Sequence, residues 1–347
     1  MTEADARNTL DFDAAALRPI LADLLGHPVH HLDIRPTEGG MSNPTYFVTA
    51  DGWRAVLRKQ PAGKLAKSAH AIDREYRVLS ALEGSAVPVP RTILYHEDPT
   101  PLGTPFYLME WIDGTVMPSY ACPGLDTVER GKLFRSMAET LAALHRVDPV
   151  AVGLDDYGKP GNYFARQVAR WSSLWAEYRA ALGANPALDR LTHWLRERIP
   201  ESETTTLCHG DFRIGNMVFG PNGSVAAVLD WELSTLGHPL VDLAFNTQAW
   251  HMAPDENGGL LGLDLASLGI PDEESYLAYY YAAAGSTERL TDFHRAFAMF
   301  RAAVGSAGVA VRGAQGNNTL PDSVHIGRHL ARAYAERGLA LAERSDP

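Results

Sequence analysis

Cysteine is scarce. Cys122 and Cys208 are the only two thiols in 347 residues, too few for a disulfide framework and without the Cys/His spacing that holds zinc. A reducing compartment suits them. Long apolar runs are missing too. Met1 to Leu25 is acidic and amphipathic, so neither a signal peptide nor a membrane anchor is expected there, and a cytoplasmic location follows. Positive charge is in deficit, with a formal net charge of −11. A general nucleic-acid or membrane-surface binder needs a basic face, so neither partner is expected, although a local basic pocket for phosphates is compatible with this balance. There is no internal repeat and no low-complexity tract. What remains is ordinary for a globular protein: 46% hydrophobic and 21% charged residues, in a chain long enough for two lobes and a large core.

The informative stretch runs from Leu207 to Glu232. Strand-like Thr206 to Cys208 leads into His209-Gly210-Asp211, and Asn216 follows five residues after that aspartate. Met217 to Phe219 and Ser224 to Leu229 read as two strands joined by the turn Pro221-Asn222-Gly223. Such a hairpin returns Asp230 to the end from which Asp211 and Asn216 emerge. Phosphoryl transfer wants this set. One aspartate orients an attacking hydroxyl and accepts its proton, while an amide oxygen and a second carboxylate hold Mg²⁺ on the phosphates. Alone, Asp211 is a turn residue and Asp230 a strand-end cap; the ordered set points to chemistry.

His209-Gly210-Asp211 with Asn216, followed by Leu229-Asp230-Trp231-Glu232, resembles the aminoglycoside phosphotransferase family of small-molecule kinases. These are similar in fold to protein kinases. The resemblance implies an α+β, two-lobe, protein-kinase-like fold that uses ATP and Mg²⁺, with an antiparallel sheet lobe at residues 1–112 and a larger helical lobe at 115–347. It implies Asp211 as the catalytic residue and Asn216 and Asp230 as metal ligands.

The rest of the chain falls into order around that expectation. A helix over Asp13 to Leu25 precedes strands at His30 to Pro36 and Tyr46 to Thr49. Between the strands lies the glycine loop Thr37 to Asn43, which lacks a full G-x-G-x-x-G. The resemblance makes it a nucleotide-covering loop, with Gly39, Gly40, Ser42 and Asn43 near the phosphates. The next strand, Trp53 to Lys59, ends in two cations. Strand alternation sets Arg58 with Val56 on one face and Lys59 with Leu57 on the other, so only one points inward. The resemblance favours Arg58 in a slot usually held by lysine, with Lys59 as the substitute. Lys64 and Lys67, in the basic loop Pro61 to His70, are further candidates for phosphate contact. The helix Ala71 to Leu82 carries Glu75, the match for the family's cation-pairing glutamate, with Asp73 as its nearest rival. Strands follow at Arg91 to Tyr95 and Pro105 to Ile112. By chain order the stretch about 109–114 is the hinge between lobes, with Glu110 and Ile112 offering backbone groups to adenine.

Beyond residue 115 the pattern is mainly helical: Asp126 to Arg146, Tyr163 to Leu182, Pro186 to Ile199, a helix opened by Pro239, then Asp272 to Ala284, Leu290 to Val311 and Ser323 to Leu341. Ala253 to Gly269 reads as loop. Asp242, on an apolar helix, is expected to bond nearby loop backbone, since a buried unpaired carboxylate is costly. The expected function is transfer of the γ-phosphate of ATP to a hydroxyl of a small molecule. Arg295, Arg301 and Arg312 suit an acceptor with an anionic and an apolar part better than a polyamine. The run from Arg58 to Leu79 resembles the kinase-like domains fused to acyl-CoA dehydrogenases, which implies a hydroxyacyl-CoA or related hydroxylated acid as acceptor. An antibiotic or sugar is the alternative acceptor, and a non-catalytic nucleotide-binding scaffold the alternative class. Oligomeric state is not legible.

Overall fold

A computed structural model of the chain describes residues 10–37, 43–61, 72–202, 204–315 and 322–344. It divides into two compact units, Met1–Thr115 with Ala226–Leu233, and Val116–Val225 with Ser234–Pro347.

The first unit is built on a five-stranded antiparallel sheet in the order β1 (Leu32–Pro36), β2 (Thr45–Ala50), β3 (Trp53–Lys59), β5 (Phe106–Glu110), β4 (Thr92–His96). β2 alternates between half-buried and buried positions, so Tyr46, Val48 and Ala50 turn to one face. There they meet Leu57, Phe106 and Leu108 and the inner residues Leu17 and Leu21 of helix α1 (Leu17–Leu25). Burying each such aliphatic side chain contributes about 1.5–3 kcal/mol. Helix α2 (Ile72–Leu82) buries Ile72, Glu75, Val78, Leu79 and Leu82 along one stripe. A glutamate within an apolar stripe needs a partner, and Arg58 of β3 is that partner.

The segment 226–233 is tied to this unit at two points. The Val228 N–H donates to the Pro88 carbonyl at 2.8 Å. Trp231, 1% exposed, bonds the Val228 carbonyl through its indole N–H at 3.0 Å, and its short 3₁₀ turn, Trp231–Leu233, packs against α2.

The second unit is helical. Helix α3 (Thr127–His145) opens on a capping box formed by Asp126 and Glu129. α4 (Tyr163–Leu182) and α5 (Pro186–Glu197) follow, the latter with Asn185 as N-cap and proline in its first turn. β6 (Thr206–Cys208) pairs antiparallel with β9 (Thr235–Gly237), a strand that the sequence reading did not anticipate. β7 (Met217–Phe219) and β8 (Val225–Val228) are the two strands of the expected hairpin, and from Ala226 the chain belongs to the first unit. Gly223 takes φ +78° in their connection, a left-handed conformation that glycine adopts without strain. α6 (Pro239–Thr247), α7 (Glu273–Ala284), α8 (Asp292–Ala314) and α9 (Ser323–Arg344) complete the unit. The stretch expected as loop at 253–269 contains a single helical turn, Leu265–Leu268. α8 and α9 approach closely: a Cβ on Gly327 would lie 2.7 Å from backbone atoms of Ser306 and Ala310.

At the start of α8, the His294 Nδ1 accepts the Thr291 N–H at 3.1 Å. Burial, helped by neighbouring His238 and Arg295, pushes the imidazole down to about 3. A folded-state pKa below the unfolded value means that the unfolded chain binds more protons between the two. This contribution to stability is therefore full at neutral pH and declines as pH falls from about 6.5 toward 3, by about 1.4 kcal/mol per pH unit for one proton. Thermal unfolding at stepped pH should show this acid-side loss, and His294→Asn should make the slope shallower. An unchanged slope would mean that His294 stays unprotonated in both states or titrates equally in them.

Candidate active site

In the first unit, β3 sends its two terminal cations to opposite faces. Arg58 donates Nε to Glu75 Oε2 at 2.9 Å, Nη2 to Asp230 Oδ1 at 2.5 Å and Nη1 to Thr45 Oγ1 at 3.3 Å. Lys59 turns the other way. Its Nζ reaches Asp11 Oδ2 at 2.8 Å and lies 5.2 Å from the centre of the Phe12 ring. Glu75 is 1% exposed. Burial drives its carboxyl upward, so Arg58 supplies the charge that keeps it an ion pair. Burial likewise opposes the Arg58 charge, but Glu75, Tyr107 and Asp230 overcome it and hold the guanidinium above its ordinary value.

Asn43, also 1% exposed, donates Nδ2 to Glu75 Oε2 at 3.3 Å. Its Oδ1 is buried without a partner. Gly39, Gly40 and Ser42 lie outside the described residues, as do Lys64 and Lys67. Glu110 ends β5 and donates its own N–H to the Arg91 carbonyl at 2.9 Å, while Ile112 follows, half-buried, outside the strand. Asp230 holds φ +64°, a left-handed conformation uncommon for a residue with a side chain. The buried Trp231 immediately after it fixes that turn and presents the carboxylate to Arg58.

In the second unit, β6 ends at Cys208 and the chain turns through Gly210, at φ +84°. The buried Asp242 of α6 accepts the N–H groups of His209, at 2.5 Å, and Gly210, at 2.9 Å. Burial works to raise the Asp242 carboxyl, but the adjacent His145, His209 and the Gly210 N–H outweigh it and hold it below its usual range. Four residues along the same helix, Asn246 donates Nδ2 to the Phe212 carbonyl at 3.1 Å and accepts the Tyr276 hydroxyl at 2.5 Å. Arg301 of α8 donates Nη2 to the Gly210 carbonyl at 3.1 Å. Side chains from two helices thus hold the backbone of the loop on both sides of Asp211, whose carboxylate remains partly exposed.

That carboxylate accepts Asn216 Nδ2 at 2.8 Å and Arg213 Nε at 3.2 Å. Asn216 also donates Nδ2 to the Asp211 carbonyl at 2.9 Å, which commits its amide nitrogen and leaves Oδ1 for another role. A Cβ on Gly215 would lie 2.7 Å from Arg213 Nη1, so glycine there makes room for the arginine to fold back. Arg213 and Asn246 were not singled out from the sequence. Two signals were available: Arg213 sits two residues after Asp211, and Asn246 follows Asp242 by one helical turn on the same face. Of the three arginines expected at the acceptor, only Arg301 reaches this loop. Arg295 pairs with Glu273 at 2.8 Å, and Arg312 is exposed.

His145, Cys208 and Asp242 form a buried group whose ligand atoms lie within 4.8 Å of one another. Both Asp242 oxygens are already taken by backbone N–H groups, so this trio is a support for the loop. Replacing Asp242 with asparagine removes the buried charge that holds two N–H groups. Thermal unfolding should report a loss of about 1–3 kcal/mol, the usual cost of leaving a buried donor without its acceptor. A loss under 1 kcal/mol would show that the turn stands without it.

The fold and these two clusters define a kinase-like class: an antiparallel sheet unit with a buried Arg–Glu pair, and a helical unit that presents an aspartate on a braced loop. The model of the phosphotransferase enzyme family matches residues 33–301, and the chain belongs to that family. Among curated proteins it is 39% identical to acyl-CoA dehydrogenase family member 10 of Mus musculus over 337 residues, which is 95% of this chain and 31% of that protein. The chain therefore spans about a third of the length of that relative. A crystal structure of a putative aminoglycoside phosphotransferase from Ralstonia eutropha is 38% identical, covering 97% of this chain and 100% of that one, with a TM-score of 0.86. A thermostable mutant of aminoglycoside phosphotransferase APH(4)-Ia, in ternary complex with ADP and hygromycin B, has a TM-score of 0.61 at 16% identity over 96% and 99% of the two chains, and shows the shared fold. Among the described residues no helix is long and apolar enough to cross a membrane.

Proposed function

We propose that this phosphotransferase moves the γ-phosphate of ATP to a hydroxyl of a small molecule, with Asp211 as the residue that aligns the hydroxyl and takes its proton. The observation that carries this reading is the loop itself. Its backbone is held by Asp242, Asn246 and Arg301, yet the Asp211 carboxylate is left partly exposed. A rigid frame around one accessible carboxylate suits a reaction whose loose transition state is accelerated mainly by positioning and charge neutralisation.

In this reading Arg58, held by Glu75, lies on the nucleotide phosphates. Asn43 steadies Glu75, and Glu110 and Ile112 offer backbone groups to the base. Lys59, whose Nζ bonds Asp11, is given no part in this reading. Arg213, within reach of Asp211, adds positive charge where the transferred group gains negative charge. An oxygen-only donor set fits Mg²⁺, and Asn216 Oδ1 and Asp230 are its proposed ligands. When bound, the ion neutralises the phosphates. Nucleotide use is supported by the ADP found in the distant fold neighbour.

For the acceptor we favour a hydroxyacyl-CoA or related hydroxylated acid over an aminoglycoside or a sugar. The supports are the likeness to a protein named for acyl-CoA chemistry and the arginine, rather than carboxylate, beside the Asp211 loop. Coupled ADP release with Mg-ATP and, in parallel, a short hydroxyacyl-CoA, kanamycin and a simple sugar tests this. Turnover is expected with the first. Turnover with kanamycin alone would defeat the acceptor assignment, and ATP binding without turnover on any acceptor would favour a nucleotide-binding scaffold.

A further inference from the structure

Helix α8 carries a cation, Arg301, that has no counter-ion among the described residues. Arg301 spends one nitrogen on the Gly210 carbonyl, at 3.1 Å. Its Nε and Nη1 are sealed from solvent and reach no acceptor among the described residues, and the same holds for the indole nitrogen of Trp171. The guanidinium lies 5.6 Å from the centre of the Trp171 ring and 5.7 Å from that of Phe245. No carboxylate pairs with Arg301 among the described residues. Arg295, earlier on the same helix, is neutralised by Glu273 at 2.8 Å.

Buried donors without acceptors cost free energy, and a desolvated charge without a counter-ion costs more. Aromatic faces compensate a guanidinium only in part, because they bring no anionic oxygen. Arg301 and Trp171 are both only half-buried as residues, so their cluster lies at the surface of the unit and not in its core. The backbone group that Arg301 holds belongs to the residue immediately before Asp211. The missing partner is therefore an anion, placed beside the reacting loop.

We propose that Arg301 and Trp171 form the anion-binding part of the acceptor site, taking a carboxylate or phosphate oxygen of the molecule whose hydroxyl is presented to Asp211. This rests on the phosphotransfer reading of Asp211 and adds the residues that hold the acceptor: its anionic group on Arg301, its apolar portion against Trp171 and Phe245. A planar guanidinium matches such an oxygen pair better than an ammonium does. A carboxylate could come from a free hydroxy acid and a phosphate from its coenzyme A ester, so both belong in the test.

The experiment compares a 3-hydroxy fatty acid, its coenzyme A ester and its neutral amide as acceptors for the wild type, R301Q, R301K and W171F. The readout is the ratio of kcat/KM for each anionic acceptor to that for the amide, with the KM for Mg-ATP as control. This ratio cancels any effect that Arg301 has on the loop through Gly210. The wild type should favour at least one anionic acceptor, and R301Q should lower that preference about 10- to 100-fold, R301K by less and W171F by a few fold. The source of the anion is whichever acceptor loses its advantage. Equal losses for amide and anions in R301Q would overturn the proposal and leave Arg301 a brace for the loop. If the wild type turns over no acceptor, the phosphotransfer reading is what has failed. Calorimetric titration of the same acid and ester into wild type and R301Q then decides the anion site on its own, and no binding by the wild type overturns it.

Discussion

Asp211→Asn is expected to reduce acceptor-dependent ADP release by two to four orders of magnitude, the usual reach of a general base or an orienting carboxylate. Mg-ATP affinity should stay within about a factor of two, because a loss confined to the transition state appears in kcat and not in binding. The amide keeps the shape of the carboxylate and the neighbourhood of Asn216 and Arg213. What it loses is the capacity to take a proton and the negative charge that faces Arg213. Nucleotide titration and steady-state kinetics on the same preparation separate the two effects. Near-normal turnover would remove Asp211 from the reaction, whatever else the loop does.

Arg58→Ala should be the most damaging single change in the first unit, and in two ways at once. It deletes the cation assigned to the nucleotide phosphates, and it strands Glu75, 1% exposed, without its countercharge. Removing one member of a buried pair costs about 3–5 kcal/mol because the other charge stays desolvated. Thermal unfolding should reveal that loss, and Mg-ATP affinity should fall beyond measurement. The double variant Arg58→Met with Glu75→Leu separates the two effects: stability should recover and nucleotide binding should not. Lys59→Ala, by contrast, breaks only the contacts to Asp11 and Phe12 and should leave nucleotide affinity close to that of the wild type. Equal, small losses in affinity from both alanine variants would mean that neither cation meets the phosphates.

Much of this arrangement was legible beforehand, for local reasons. Alternation along β3 required Arg58 and Lys59 to part, and they do so, one to Glu75 and the other to Asp11. The carboxylate of Asp242, on an apolar helix, had to find donors, and the N–H groups of His209 and Gly210 are those donors. The turn Pro221-Asn222-Gly223 required a hairpin. β9 was not legible, because three residues, Thr235 to Gly237, carry no alternation long enough to read and acquire their pairing from β6. Nor was the fate of the arginines on α8. A helical pattern shows that Arg295, Arg301 and Arg312 exist, but each one's partner comes from elsewhere in the chain.

By itself, then, the sequence determined the order of the parts: strands of which β3 parts its two terminal cations to opposite faces, a mainly helical stretch after residue 115, and between Asp211 and Asp230 a hairpin. Those features follow from short-range rules, such as side-chain period, turn chemistry and the cost of burying charge, which act over a few residues. Only the tertiary structure decided where long-range partners fall. It assigned segment 226–233, and Asp230 with it, to the sheet unit through Val228 and Trp231. It chose Arg301 to hold Gly210, and set Asn246 beneath Phe212. The physical reason is that contacts separated by scores of residues are selected by packing. Packing depends on the shapes of all the elements at once, and no window of the sequence contains them together.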